Sequence, residues 1–214
     1  MTTTPTVEGH PIPVTAVVLA AGRSSRMGRA KQLATVAGEA MVVRATRIAL
    51  ASKAERVLVV TGAYADQIKT VLIPLQEENA GRLEFVHNPA WSTGQASSVQ
   101  TAVHALANTC QAVLFLPTDQ PFVPVTLLDN LIIAWQAGAL LAAPAVAGQP
   151  RGAPAIFDGS IWSDLLDLSG DTGARPLLQR YRNQLITIPA EAAWLHDIDT
   201  PEDLDQLSTG SKQP

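Results

Sequence analysis

The sequence predicts an α/β layer fold around a mainly parallel sheet, and three observations carry that expectation. Short apolar runs alternate with helix-period stretches along most of the chain, the order of strand–helix–strand units. Residues 112–116, Ala-Val-Leu-Phe-Leu, are apolar at every position, as a central parallel strand covered on both faces must be. A length of 214 residues fits one domain whose core needs no disulfide or metal staple.

The elements run in order along the chain. Val14–Ala20 reads as the first strand, ended at Ala21-Gly22. Met41, Ala45, Ile48 and Ala49 recur at i, i+4, i+7 and i+8, one face of a helix. Residues 57–61 form a second strand, followed by a helix over 65–72. Leu83–His87 is a third strand, closed by Asn88-Pro89. Val99, Ala102, Val103 and Leu106 mark the next helical face, and strand 112–116 comes after it. Pro124 suits the first turn of a helix whose buried stripe is Leu127, Leu128, Leu131, Ile132 and Trp135 and whose end is Gly138. Residues 140–145 and 153–157 read as strands, 160–168 and 172–181 as short helices, and 185–188 and 195–198 as extended. A last helix starts at Pro201, with Thr200 as N-cap and Asp203 three residues on. The expected domain spans 14–207, with 1–13 and 208–214 as flexible tails.

Composition excludes several classes. The chain is 47% hydrophobic and 16% charged. That charged fraction lies under the ~25% of ordinary soluble proteins and excludes a disordered chain, a coiled coil or a polybasic arm. Fifteen Lys and Arg stand against nineteen Asp and Glu, a net charge of −4, which argues against a nucleic-acid partner. The single Cys110 cannot form an internal disulfide and reads as a buried, inert thiol beside an apolar run. Residues 1–13 lack the pattern of a signal peptide, and no apolar stretch reaches ~18 residues. The expectation is a cytoplasmic protein without a membrane partner.

In parallel sheets, ligands bind beyond the carboxyl ends of the strands. The loop after the first strand runs Leu-Ala-Ala-Gly-Arg-Ser-Ser-Arg-Met-Gly-Arg-Ala-Lys over residues 19–31. Arg23, Arg26, Arg29 and Lys31 put four cations in nine residues. Leu19, Ala20, Ala21 and Gly22 let the backbone approach a base or a phosphate, and the guanidinium forks suit phosphate oxygens. The segment is neither GxxxxGK[ST] nor GxGxxG, because Arg29 follows Gly28 and Arg23-Ser24 follows Gly22. After the third strand, Asn88 leads to Gly94, Ser97 and Ser98, which open a helix. Its free N–H groups and two hydroxyls form a polar surface for a nucleotide, or serve N-capping alone with Trp91 as a core anchor. Thr118 and Asp119 follow strand 112–116. A carboxylate there either holds a divalent cation against a triphosphate or caps a turn. Asp197 and Asp199 alternate along an extended segment and point to one side. His10, His87 and His104 have no metal-ligand spacing, and no Ser–His–Asp or Cys–His constellation has sequence support.

These strand-end motifs carry a resemblance. The pattern LAAGxxxRMGxxK over 19–31, NPxWxxGxxSS over 88–98, DQP over 119–121 and GDxGAR over 170–175 occur in that order. Over residues 15–207 the chain resembles nucleotidyltransferases of the glycosyltransferase-A-like fold and is most similar to the molybdenum cofactor cytidylyltransferases. The resemblance implies a three-layer α/β/α, Rossmann-like architecture. It implies Mg²⁺-dependent transfer of CMP from CTP to the terminal phosphate of molybdopterin, with release of pyrophosphate. Guanylyltransferases usually carry Ala-Gly or Gly-Gly before the glycine, so Ala20-Ala21 leans towards CTP. The resemblance assigns the metal to Asp119 and Asp199, with Asp197 as a second ligand or an outer residue. It assigns the nucleotide to the 19–31 loop with Asn88, Gly94, Ser97, Ser98 and Thr118. Arg26 and Lys31 would stabilise charge on the leaving pyrophosphate. Arg151, Gly152, Arg175 and Asp197 would line the acceptor side, where Arg175 reaches a phosphate or pairs with Asp171. Ala153 stands where family members usually have His. Three alternatives remain: guanylyl transfer, nucleotidyl transfer to a sugar phosphate, or a non-catalytic carrier that hands the cofactor to a molybdoenzyme or its maturation factor.

Overall fold

The computed structural model describes residues 14–24, 27, 30–107 and 109–204. Strands β1 (Val14–Ala20), β4 (Arg56–Thr61), β5 (Leu83–His87) and β6 (Ala112–Pro117) form a parallel block with β1 between β4 and β6. Two further strands, β7 (Leu141–Val146) and β10 (Leu185–Pro189), pair in parallel on the far side. Between the two groups lies β9 (Ala155–Asp158), antiparallel to both β6 and β7. The order across the sheet is β10–β7–β9–β6–β1–β4–β5, with the two-residue β8 (Gln149–Pro150) hairpinned on β7. A separate antiparallel pair, β2 (Thr35–Val36) and β3 (Glu39–Ala40), comes after the basic loop.

Strand alternation builds the layers. Val14, Ala16, Val18 and Ala20 of β1 face a core made with α1 (Met41–Ala51), α2 (Ala65–Glu78) and α4 (Val125–Gln136). Val17, with Val113 and Phe115 of β6, faces the opposite core, made with α3 (Gln95–Leu106), α5 (Trp162–Leu166) and α6 (Arg175–Arg180). The result is a mainly parallel sheet between two helical layers, as expected. Met27, Ala34, Val36, Met41, Ile198 and Leu204 form a third, smaller cluster.

Several boundaries differ from the sequence expectation, each for a local reason. α2 continues past residue 72 to Glu78 although Pro74 lies inside it. Leu75 extends the buried face of Ile68 and Leu72, while Pro74 and Thr70 are both exposed, so the carbonyl that Pro74 cannot bond meets water. Pro124 is the N-cap of α4 and not its first helical residue, and Gly138 terminates it at φ +100°. The second of the two short helices begins at Arg175, not near 172, and β9 begins at Ala155, not 153. Leu195 closes a 3₁₀ turn, Ala192–Leu195, where an extended segment was expected. The Thr200 cap is present: Asp203 N–H donates to Thr200 Oγ1 at 3.2 Å, and Asp203 Oδ2 accepts from the N–H groups of Asp199 and Thr200 at 2.8 Å each. Cys110 is half-buried, its thiol donating to the Ala112 carbonyl, and burial pushes its pKa up. No helix among the described residues is long and apolar enough to cross a membrane.

Candidate active site

Two adjoining cavities open at the carboxyl ends of the parallel strands, of about 680 Å³ and 950 Å³. Leu19, Gln95, Pro117, Asp119, Asp171 and Asp199 line both and mark their junction.

The first cavity is framed by the loop after β1. Ala21, Gly22, Arg23 and Ser24 line it, whereas Ala20 is buried beneath. Gln32, itself buried, fixes this loop: its amide donates to the carbonyls of Gly22 at 2.7 Å and Ala20 at 3.3 Å, and accepts from Ser24 Oγ at 3.1 Å. Ser24 is held at φ +57°, a conformation disfavoured for a side chain-bearing residue. Opposite, Gly62 permits close packing: a Cβ there would lie 2.5 Å from the Ala21 carbonyl and 2.8 Å from Trp91 Cβ. Trp91 is half-buried and lines the cavity beside Ser92 and Thr93. Gly94 and Ser98 also line it, as does Thr118, whose hydroxyl donates to the Leu19 carbonyl at 3.3 Å. Arg26 lies outside the described residues.

Asn88 and Ser97 are buried behind this wall. Asn88 Nδ2 donates to Ser97 Oγ at 2.8 Å and Ser98 Oγ at 3.0 Å, and Ser97 Oγ donates to the carbonyls of Gly94 and Ala90. They shape the turn into α3. The start of that helix was expected to offer free N–H groups. Instead Gln95 N–H donates to Asp171 Oδ1 at 3.0 Å and Ala96 N–H to the Gly170 carbonyl at 3.0 Å, because the 170–173 loop is folded over it. Asp171 is therefore spent as a helix cap across 76 residues of sequence.

At the junction, Lys31 Nζ donates to Asp119 Oδ2 at 2.9 Å and to Asp199 Oδ1 at 2.6 Å. Burial works against the ammonium, but the two carboxylates outweigh it and hold the Lys31 pKa above its ordinary value. A backbone contact ties together the two segments that carry the carboxylates. Ile198 N–H donates to the Asp119 carbonyl at 2.9 Å, and Ile198 is fully buried in the third cluster. One cation thus touches both carboxylates. Among the described residues no group of three or more His, Cys, Asp or Glu could cage a metal. A pair of carboxylates matches a Mg²⁺-type ion that takes its remaining oxygens from substrate phosphates and water.

The second cavity gathers Arg151, Gly152, Arg175 and Asp197. Gly152 is needed where it stands: a Cβ would lie 2.9 Å from Arg175 Cγ and 3.2 Å from its Nε. Asp197 Oδ1 accepts from Gln120 Nε2 at 2.9 Å. Burial pushes the Asp197 pKa up, and the charges of Asp119 and Asp199 add to it against the Gln120 bond and Lys31. Asp197 and Asp199 both line this cavity, and Ile198 between them is buried in the third cluster. Gln32 and Gln120 gave no sequence signal, although Gln120 sits inside the DQP string.

Residues 16–185 match the family described as the MobA-like NTP transferase domain. The chain is 28% identical over 197 residues to the purine catabolism protein PucB of Bacillus subtilis, covering 89% of this chain and 94% of that protein. It is 34% identical over 142 residues to 2-C-methyl-D-erythritol 4-phosphate cytidylyltransferase of Streptomyces coelicolor, covering 64% of this chain and 51% of that one. Among solved structures it resembles Rv0371c of Mycobacterium tuberculosis with a TM-score of 0.78 at 23% identity, covering 92% of this chain and 97% of that one. A manganese complex of Rv0371c also matches, with a TM-score of 0.73 at 21% identity, covering 91% and 97%.

Proposed function

The chain belongs to the MobA-like NTP transferase family, and we propose that it moves CMP from CTP to the terminal phosphate of a molybdopterin-type acceptor, releasing pyrophosphate. Nucleotidyl transfer is the family-level activity; the choice of CTP, acceptor and Mg²⁺ is our reading. The observation that carries it is the pair of carboxylates held at the junction of two cavities and bridged by one ammonium. The first cavity takes the nucleotide, the second the acceptor, and the α-phosphorus lies between.

Negative oxygens shield that phosphorus from a phosphate nucleophile. A divalent ion at Asp119 and Asp199 would neutralise this charge. The remaining work falls to the chain. The Gln32-pinned loop presents backbone and the Arg23 side chain to the nucleotide. Arg26 and Lys31 offset charge on the departing pyrophosphate. Arg151 and Arg175 hold an anionic acceptor. Because an acceptor phosphate is already ionised, no side-chain nucleophile is required, and rate comes from placement and electrostatics. Likeness to a cytidylyltransferase and the Ala20-Ala21 pair favour CTP, and the manganese complex of a protein of the same fold favours a divalent ion.

The test is pyrophosphate release with purified pterin cofactor and each of CTP, GTP, ATP and UTP. CTP should give the highest kcat/KM, and Asp119→Ala should abolish turnover while the fold is retained. Turnover with GTP or with a sugar phosphate in preference would reassign the substrates; an active Asp119→Ala would move the metal site. Ala153, where the family's usual His is absent, favours one second reading, a carrier that binds cofactor without reaction. Stoichiometric binding with no pyrophosphate would establish it.

A further inference from the structure

We propose that Lys31 is the resident counter-ion of the Asp119–Asp199 pair and yields it to a divalent cation only when a nucleoside triphosphate gives the ammonium another anion to hold. This rests on the proposed metal role of the two carboxylates and adds an order of events.

The geometry leads there in three steps. Lys31 Nζ is 2.9 Å from one carboxylate and 2.6 Å from the other, so it occupies the space in which a bridging ion would sit. Magnesium–oxygen distances are about 2.0–2.1 Å, and an ammonium already in contact with both oxygens cannot share that space. Second, the backbone that carries the two carboxylates is held by bonds that do not involve the lysine. The Ile198–Asp119 backbone bond and the Asp203 carboxylate on the Asp199 N–H fix the strand tip and the 197–199 segment from behind. A cation exchange can therefore occur without rebuilding the site. Third, Lys31 begins the 3₁₀ turn Lys31–Leu33 at the end of the basic loop, and its side chain lines the first cavity as well as reaching the carboxylates. A flexible four-carbon stem anchored there can carry the ammonium from the junction to a triphosphate in that cavity. Two carboxylates with no third acidic, His or Cys ligand among the described residues bind a hard cation weakly on their own, and triphosphate oxygens complete the shell. Metal and nucleotide would thus enter together and displace the lysine towards the phosphates, where it serves the leaving group.

Mn²⁺ binding, followed by electron paramagnetic resonance, tests this without reference to turnover. Wild type, Asp119→Asn, Lys31→Met and Lys31→Met/Asp119→Asn are titrated with and without a non-hydrolysable CTP analogue. Without nucleotide, Lys31→Met should bind Mn²⁺ at least tenfold more tightly than wild type, and Asp119→Asn should remove that gain. With the analogue, wild type should equal or exceed Lys31→Met. Mn²⁺ should also raise the thermal midpoint of nucleotide-free Lys31→Met more than that of wild type, which guards against a loss of affinity from poor folding. Equal nucleotide-free affinities, with wild type still binding Mn²⁺ through Asp119 in the presence of the analogue, would overturn the exchange and leave the metal site standing. Absence of Asp119-dependent binding under every condition would overturn both.

Discussion

Replacing Gly94 with alanine tests how tightly the 170–173 loop is held over the start of α3. Gly94 lies at φ +117° and ψ 170°, a region that side chain-bearing residues avoid at a cost of roughly 1–3 kcal/mol. A Cβ there would stand 2.5 Å from Gly170 C, 2.6 Å from its carbonyl oxygen and 3.0 Å from Asp171 Oδ1. The nearest two are backbone atoms, so the loop must lift. Lifting breaks the bonds from Gln95 N–H to Asp171 and from Ala96 N–H to Gly170, each worth about 0.5–1.5 kcal/mol. Together these effects come to about 2–6 kcal/mol. Gly170→Ala is the matched control: its φ is +66°, yet no atom lies within 4 Å of the added Cβ. It should cost only about 1–2 kcal/mol, the left-handed penalty alone. Urea unfolding of the two variants beside wild type, followed by Trp fluorescence, measures both. Equal destabilisation of the two would refute the reasoning, because the close approach would then contribute nothing.

Other outcomes are expected from the same kinds of contact. Gln32→Leu leaves the buried Ala20 carbonyl without its partner and unpins Gly22 and Ser24. It should cost about 1–3 kcal/mol and raise the nucleotide KM roughly tenfold with a smaller change in kcat; an unchanged KM in steady-state kinetics would separate this loop from nucleotide binding. Asp158 accepts from Ser160 N–H, Ser160 Oγ and Trp135 Nε1; burial opposes its charge, but these donors prevail and hold its pKa below the usual carboxylate range. A depressed carboxylate stabilises the fold above the unfolded value of about 3.9, and that contribution is lost as pH falls through the lower folded value. Asp158→Asn should therefore be about 1–3 kcal/mol less stable than wild type at neutral pH, with the gap closing under acid in urea titrations at each pH. The raised Cys110 pKa leads to slow alkylation by iodoacetamide at pH 8 in the native protein and rapid alkylation in urea.

The sheet and the strand tips were legible because apolar runs and their polar ends are local properties. Asp119 and Asp199 could be picked out singly, each standing next to a strong local signal, a buried strand or a capped helix. Their meeting at one ammonium could not, since Lys31 lies 88 residues from one and 168 from the other. Asp171 illustrates the same limit: its sequence neighbours suggest an ion pair with Arg175, and only the folded loop shows it capping α3. Asn88 and Ser97 have the composition of ligand-binding groups, yet their bonds to one another and to nearby carbonyls turn them inward. Gln32 was invisible because a lone amide beside four cations carries no pattern. The reversed sense of β9 was equally hidden, because a run as short as Ala155-Ile156-Phe157 has no direction.

That reversal has a consequence for how the two cavities can vary. Ala155 of β9 pairs with Phe115 near the carboxyl end of β6, and Asp158 with Ala112 at its start. The antiparallel strand therefore begins at the edge where its parallel neighbours finish. Its leading segment, 151–154, reaches the second cavity directly from the β7–β8 hairpin, while the loops after β1, β5 and β6 wall the first cavity. The second chamber thus takes part of its wall, Arg151 to Ala153, from a stretch that does not line the first, although the two share the junction residues. Exchange of residues 147–154 between relatives would alter one chamber and leave the registers of β1, β4 and β6 untouched, so this fold can change one substrate while keeping the other.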